Sequence, residues 1–70
     1  MWVYDYTTLR PLRESRGQTR REVCATDQLN MTQHTLMAWE RGKKAPRADY
    51  LALLATVYGV KPVEFFKERP

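Results

Sequence analysis

The sequence predicts an all-α fold, a compact domain of five short helices preceded by a short extended segment. Three observations predict it. Breakers recur at Gly17, Asn30, Gly42, Pro46, Gly59 and Pro62, and the stretches between them are of helical length. Apolar residues within those stretches recur at three- and four-residue spacing, most clearly at Leu51, Leu54, Ala55 and Tyr58. Threonines stand where helices should start, and glycines where they should stop.

Taken in order, the elements justify themselves locally. Residues 2–6, WVYDY, alternate strictly and put Trp2, Tyr4 and Tyr6 on one side, the period of an extended strand. An isolated strand is unstable, so this one must pack on the helices, pair with a second copy of the chain, or stay mobile. Residues 1–8 therefore read as a segment or arm, and 9–70 as the helical domain. In the first helix Leu9, Leu12, Arg13 and Arg16 share a face. Pro11 is tolerated in its opening turn with Thr7 or Thr8 as cap, and Gly17 ends it. The second opens on Thr19-Arg20-Arg21-Glu22, a capping-box pattern, and Val23 begins its buried face. The third starts at Thr32 as N-cap, turns Leu36 and Trp39 inward, and stops at Gly42. The fourth runs from about Arg47 to Tyr58, with Gly59 as C-cap and Val60 packing behind it. A fifth short helix starts with Pro62 and carries Val63, Phe65 and Phe66.

Composition bounds what such a domain does. Twelve Lys or Arg against eight Asp or Glu give a net charge of +4 over 70 residues, a bias toward polyanions such as nucleic acid or an anionic surface. One cysteine, Cys24, excludes an internal disulfide framework and points to a reducing, cytoplasmic setting. It occupies an inner helical position that suits a buried, inert thiol. No Cys/His spacing suits zinc, no signal-peptide core is present, and no apolar run is long enough to span a membrane. One histidine and one cysteine on different helices make no catalytic pair, so an enzyme is not expected, nor a cofactor or metal. No helix pairs a broad Lys/Arg face with exposed Trp and Leu, which argues against membrane binding.

On a helical wheel with Leu36 and Trp39 inward, His34, Met37, Ala38 and Arg41 fall on the opposite side, beside Gln33 in the first exposed turn. That face contains no acid. It suits the major groove of DNA, where amide side chains pair with adenine and methyl-bearing groups touch thymine; an ordinary solvated face is the alternative. Cations bracket the helix: Arg20 and Arg21 before it, then Arg41, Lys43, Lys44 and Arg47. From Arg10 to Arg47 there are nine Lys or Arg and four Asp or Glu, a local excess of 9 − 4 = +5. Phosphates flanking a groove require such cations, and backbone N–H groups at the Thr19 helix start add a further anion contact. Arg13 faces inward on the first helix and Glu40 inward on the third, and an inward charge needs a partner, so the two are expected to pair.

Three blocks then resemble the Cro and phage-repressor helix-turn-helix family, also called the xenobiotic-response-element family. They are G-x-T-x-x-E-V from Gly17, L-N-M-T-x-x-T-L-x-x-W-E-R-G from Leu29, and P-x-x-x-x-L-x-x-L-A-x-x-Y-G-V from Pro46, within a likeness covering Leu9 to Phe66. The resemblance implies a lambda-repressor-like five-helix domain that binds double-stranded DNA as a homodimer on a palindromic operator, a transcriptional regulator and more readily a repressor than an activator. It implies that Gln33, His34 and Met37 face base edges, that Arg20 and Thr35 approach phosphate, and that Lys43 and Lys44 hold the backbone beyond the third helix. It matches Arg13 and Glu40 to a family ion pair, and makes Val63 and Phe66 candidates for dimer contacts.

Two departures stand out. Between Gly17 and Trp39 the chain carries a two-residue surplus, within Ala25-Thr26-Asp27-Gln28, that lengthens the second helix or the turn after it. Asn30 replaces the usual turn glycine, a substitution Asn tolerates because it enters the left-handed region more easily than other residues. The rival to a DNA reader is an antitoxin or accessory module that keeps the fold and sequesters a protein partner. Residues 1–8 and 67–70 would be the spare surface for it.

Overall fold

Four α-helices form where the caps and breakers place them, and the two ends of the chain close against each other as a small sheet. The computed structural model describes residues 1–70. In chain order the elements are β1 (Trp2–Tyr4), a 3-10 turn (Tyr6–Thr8), α1 (Leu9–Ser15), α2 (Arg20–Cys24), α3 (Gln33–Glu40), α4 (Ala48–Tyr58), a second 3-10 turn (Pro62–Phe65) and β2 (Phe66–Glu68).

The expected fifth helix is absent. Pro62 starts a single 3-10 turn, closed where the Lys61 N–H donates to the Glu64 carboxylate at 3.0 Å, and the chain then extends. The physical reason lies in Phe65 and Phe66. The first is fully buried edge-to-face on Tyr58, with ring centroids 6.1 Å apart, and a further helical residue would swing the second ring about 100° away from the N-terminal segment. In the extended chain Phe66 instead meets Tyr4, again edge-to-face at 6.1 Å.

That contact also settles the WVYDY segment. It pairs antiparallel with the chain's own C-terminal residues, Trp2 opposite Glu68, Val3 opposite Lys67 and Tyr4 opposite Phe66. The Asp5 N–H donates to the Phe65 carbonyl at 2.8 Å and the Arg69 N–H to the Met1 carbonyl at 2.8 Å, extending the ladder at both ends. Asp5 then caps the first 3-10 turn, accepting from the Thr7 N–H at 3.0 Å and the Thr7 hydroxyl at 2.6 Å. Neither Thr7 nor Thr8 caps α1 through its side chain.

The remaining caps follow expectation. Thr19 and Glu22 form the capping box of α2, and the Thr32 hydroxyl accepts from the Thr35 N–H at 3.2 Å to start α3. Gly42 and Gly59 end α3 and α4 with φ of +74° and +69°. The two-residue surplus lengthens the turn and not the helix. After five residues α2 gives way to a hydrogen-bonded loop in which Leu29 dips into the core and Asn30 takes φ +42°. Leu29 joins Leu9, Val23, Cys24, Leu36, Trp39, Leu54, Ala55, Tyr58 and Phe65 in one cluster at the centre of the domain. No helix is long and apolar enough to cross a membrane.

Candidate nucleic-acid interface

The position of α3 is fixed by what lies behind it. Leu36 and Trp39 are buried in the core, Trp39 tilted against Tyr50 of α4 with centroids 5.5 Å apart. Glu40, also buried, holds two cations at once. Arg13 donates through Nε at 2.8 Å and Nη2 at 3.3 Å, and Arg20 through Nε at 2.9 Å. Arg13 further donates through Nη1 to the Gln18 carbonyl at 2.8 Å. The Glu40 carboxylate beside it pushes the Arg13 pKa up, so this cation stays charged inside the protein. The expected Arg13–Glu40 pair is thus a triad that ties α1, α2 and α3 to one carboxylate. Arg20 belongs to it and not to the set of free surface cations.

On the solvent side, His34, Met37, Ala38 and Arg41 line a shallow depression whose rim continues into Lys43 beyond the helix. Gln33 and His34 are exposed in the first turn, while Met37 and Ala38 are half-buried and contribute the apolar floor. The wheel argument therefore places these side chains as expected, and the depression contains no carboxylate. Arg21, Arg41, Lys43 and Lys44 are exposed and carry no ion-pair partner. Arg47 differs from them. Its Nη2 reaches Asp49 at 3.2 Å and its guanidinium lies 5.3 Å from the Tyr50 ring centre, a cation–π arrangement at the start of α4.

Two expected phosphate ligands are already engaged in capping. Thr19 accepts from the Glu22 N–H at 3.1 Å while its own N–H donates to the Glu22 carboxylate at 3.0 Å. Thr35 shares its hydroxyl with that of Thr32 at 2.9 Å. Of the two candidate dimer residues, Val63 is 50 % exposed on the second 3-10 turn, whereas Phe66 is half-buried against Tyr4. The Cys24 thiol is buried behind α2, where desolvation pushes its pKa up and makes the reactive thiolate scarce.

One neighbour of the interface has no local signal in the sequence. The Tyr6 ring, from the 3-10 turn before α1, lies directly on Gly42 at the end of α3. The two residues are far apart along the chain, and no periodicity links them.

A family model described as a helix-turn-helix domain matches residues 7–65 of the chain. No curated protein and no solved structure shows a significant match to it.

Proposed function

The chain belongs to the helix-turn-helix domain family, within its Cro-type group, and from that membership we propose a sequence-specific regulator of transcription. It reads the major groove of double-stranded DNA with the segment Thr32 to Arg41 and acts in the cytoplasm as a repressor of the phage or mobile-element kind. The observation that carries the reading is the acid-free face on which His34, Met37, Ala38, Arg41 and Lys43 meet, held from behind by the Glu40 carboxylate that ties Arg13 and Arg20 together.

In the complex Gln33 presents its amide to an adenine edge, His34 offers a ring nitrogen, and Met37 with Ala38 meets a thymine methyl. Arg21, Arg41, Lys43 and Lys44 are free to neutralise phosphates on both sides of the groove, and Arg47 extends that line at the start of α4. Arg20 and Thr35 approach phosphate through whatever capacity their internal bonds leave, and Thr19 serves chiefly by holding α2 in place. Two copies joined through Val63 and its surroundings would read half-sites about 34 Å apart, or a multiple of that spacing. Occupancy by so small a dimer represses by exclusion.

Selection of bound sequences from random duplex DNA, with solution mass recorded with and without the enriched duplex, tests all of this at once. Enrichment of a palindrome bound by two chains supports the reading; absence of any enriched duplex overturns it. The Gln33→Ala variant is expected to lose about 1–3 kcal/mol on the enriched site and relax preference at one position. Lys44→Ala should weaken all duplexes alike and flatten the salt slope by roughly 0.9.

A further inference from the structure

We propose that Tyr6, through its phenol hydroxyl, is a further DNA-contacting residue, donating to a backbone phosphate beside Lys43; the inference rests on the DNA-binding reading above. The family match begins at residue 7, so membership assigns Tyr6 nothing.

The geometry is specific. A side-chain carbon built on Gly42 would meet the Tyr6 ring at Cε1, Cδ1 and Cζ, at 2.7 to 2.8 Å. The ring therefore covers Gly42 in place of a side chain. Because Cζ bears the hydroxyl, that hydroxyl lies one bond beyond an atom already seated on the turn joining Arg41 to Lys43. Tyr6 is 43 % exposed, whereas Tyr4 is half-buried and Tyr58 fully buried, and the hydroxyls of those two are enclosed without a partner. One flank of the ring is used for packing on Gly42, and the residue as a whole keeps 43 % of its surface exposed.

The neighbourhood selects an anion. Arg41, Lys43 and Lys44 surround Gly42 in sequence and none has a carboxylate partner. The adjacent Asp5 carboxylate accepts from the Thr7 N–H and hydroxyl and keeps its negative charge, which the three cations around Gly42 outweigh. Lys43 also lines the same depression as His34 and Met37, which puts this turn at the edge of the reading face. A neutral donor among cations at that edge is suited to an anionic oxygen and not to a base.

Tyr6 is also held in advance. The β1–β2 ladder, the Asp5 N–H to Phe65 carbonyl bond and the Asp5 cap fix the turn that carries it, so little freedom is lost when a phosphate arrives. The small sheet thus acquires a role in binding: it positions a side chain from outside the helical core at the end of the reading helix.

The test is Tyr6→Phe in the whole chain, which keeps the ring on Gly42 and removes only the hydroxyl. Expected is a roughly tenfold weakening on the enriched and on unrelated duplexes alike, the scale of a lost hydrogen bond to a charged group. Thermal stability should be unchanged. The salt slope should also be unchanged, because a neutral hydroxyl releases no counterion, whereas Lys43→Ala lowers the slope by roughly 0.9. Parent-like binding by Tyr6→Phe overturns the inference alone. A loss confined to the enriched site also overturns it, since that places the hydroxyl on a base edge. A parent chain that binds no duplex overturns the DNA-binding reading, and this inference with it.

Discussion

Replacing Glu40 by Gln removes one charge and one acceptor from the most heavily committed carboxylate in the molecule. Its Oε1 accepts from Arg13 Nη2 and Arg20 Nε, and its Oε2 from Arg13 Nε. Whichever way the amide turns, its NH2 group faces at least one guanidinium donor. The side chains of Glu40 and Arg13 are only 2 % and 7 % exposed, so Arg13 cannot turn to water, while Arg20, at 28 %, can. Breaking a buried pair from one side costs about 3–5 kcal/mol because the orphaned charge stays buried. A domain of this size has a total stability of about 4–10 kcal/mol. At about 4–8 °C per kcal/mol, the melting temperature of Glu40→Gln should fall by roughly 12–40 °C. Circular dichroism during heating and in urea reads both quantities. Two controls sharpen the result: Arg20→Ala should cost about 1 kcal/mol or less, and Arg13→Met combined with Glu40→Met should recover most of the loss. A Glu40→Gln chain that loses less than about 1 kcal/mol would refute the reasoning, because only a solvated pair behaves that way.

Thr32→Ala removes the cap of α3 and should cost about 1 kcal/mol, weakening DNA binding as the turn holding Gln33 and His34 frays; urea titration and a binding isotherm check the two effects. Tyr58→Phe deletes a buried hydroxyl that has no partner among the protein's groups, so stability measured in urea should hold or rise by up to about 1 kcal/mol. In alkali, burial pushes the Tyr4 phenol up to about 12 and raises that of Tyr58 as well. The fold favours the neutral phenols, so their contribution is complete below the ordinary value of 10.0 and lost as pH rises through about 12. Tyrosinate absorbance from these two residues should then appear together with loss of helical signal. In acid the direction reverses. Hydrogen bonds from Thr7 hold the Asp5 carboxyl below 3.8 and those from Thr19 hold Glu22 below 4.5, so both contributions are complete above those values and lost as pH falls below them. The capping-box variant Glu22→Gln should flatten that acid limb of a stability-versus-pH curve.

What the sequence disclosed divides by range. The caps at Thr19, Thr32 and Gly59 and the inward stripe of α4 depend on residues within four positions of one another, and each appears where local chemistry requires it. Arg13 and Glu40 lie far apart, yet their pairing was legible because an inward charge on each of two helices leaves little alternative. The third member, Arg20, was hidden, since at a helix start it resembles any exposed cation. The strand Phe66–Glu68 carries no period of its own in three residues, and its partner lies at the other end of the chain. Local spacing alone therefore continues the Pro62 turn as a helix. Leu29 carries no local signal for a related reason: a loop residue has no periodic neighbours to mark its inner side. On the interface side, the outward direction of Gln33, His34 and Met37 followed from helical geometry alone. The seating of Tyr6 on Gly42 depends on tertiary closure.

Closure of the two chain ends also dictates an order of assembly. In the unfolded chain, bringing Tyr4 to Phe66 closes a loop of about 60 residues, an entropic cost near 4 kcal/mol that three-residue strands cannot offset. Once Leu9 and Phe65 are buried in the same core, both ends are already neighbours and that cost has vanished. The sheet is accordingly expected to form last in folding and to open first. The chain reports the two events separately: Trp39 lies in the core and Trp2 on the sheet. Fluorescence of a Trp2→Phe chain during refolding should follow collapse of the helices, and that of a Trp39→Phe chain should lag behind it as the ends latch.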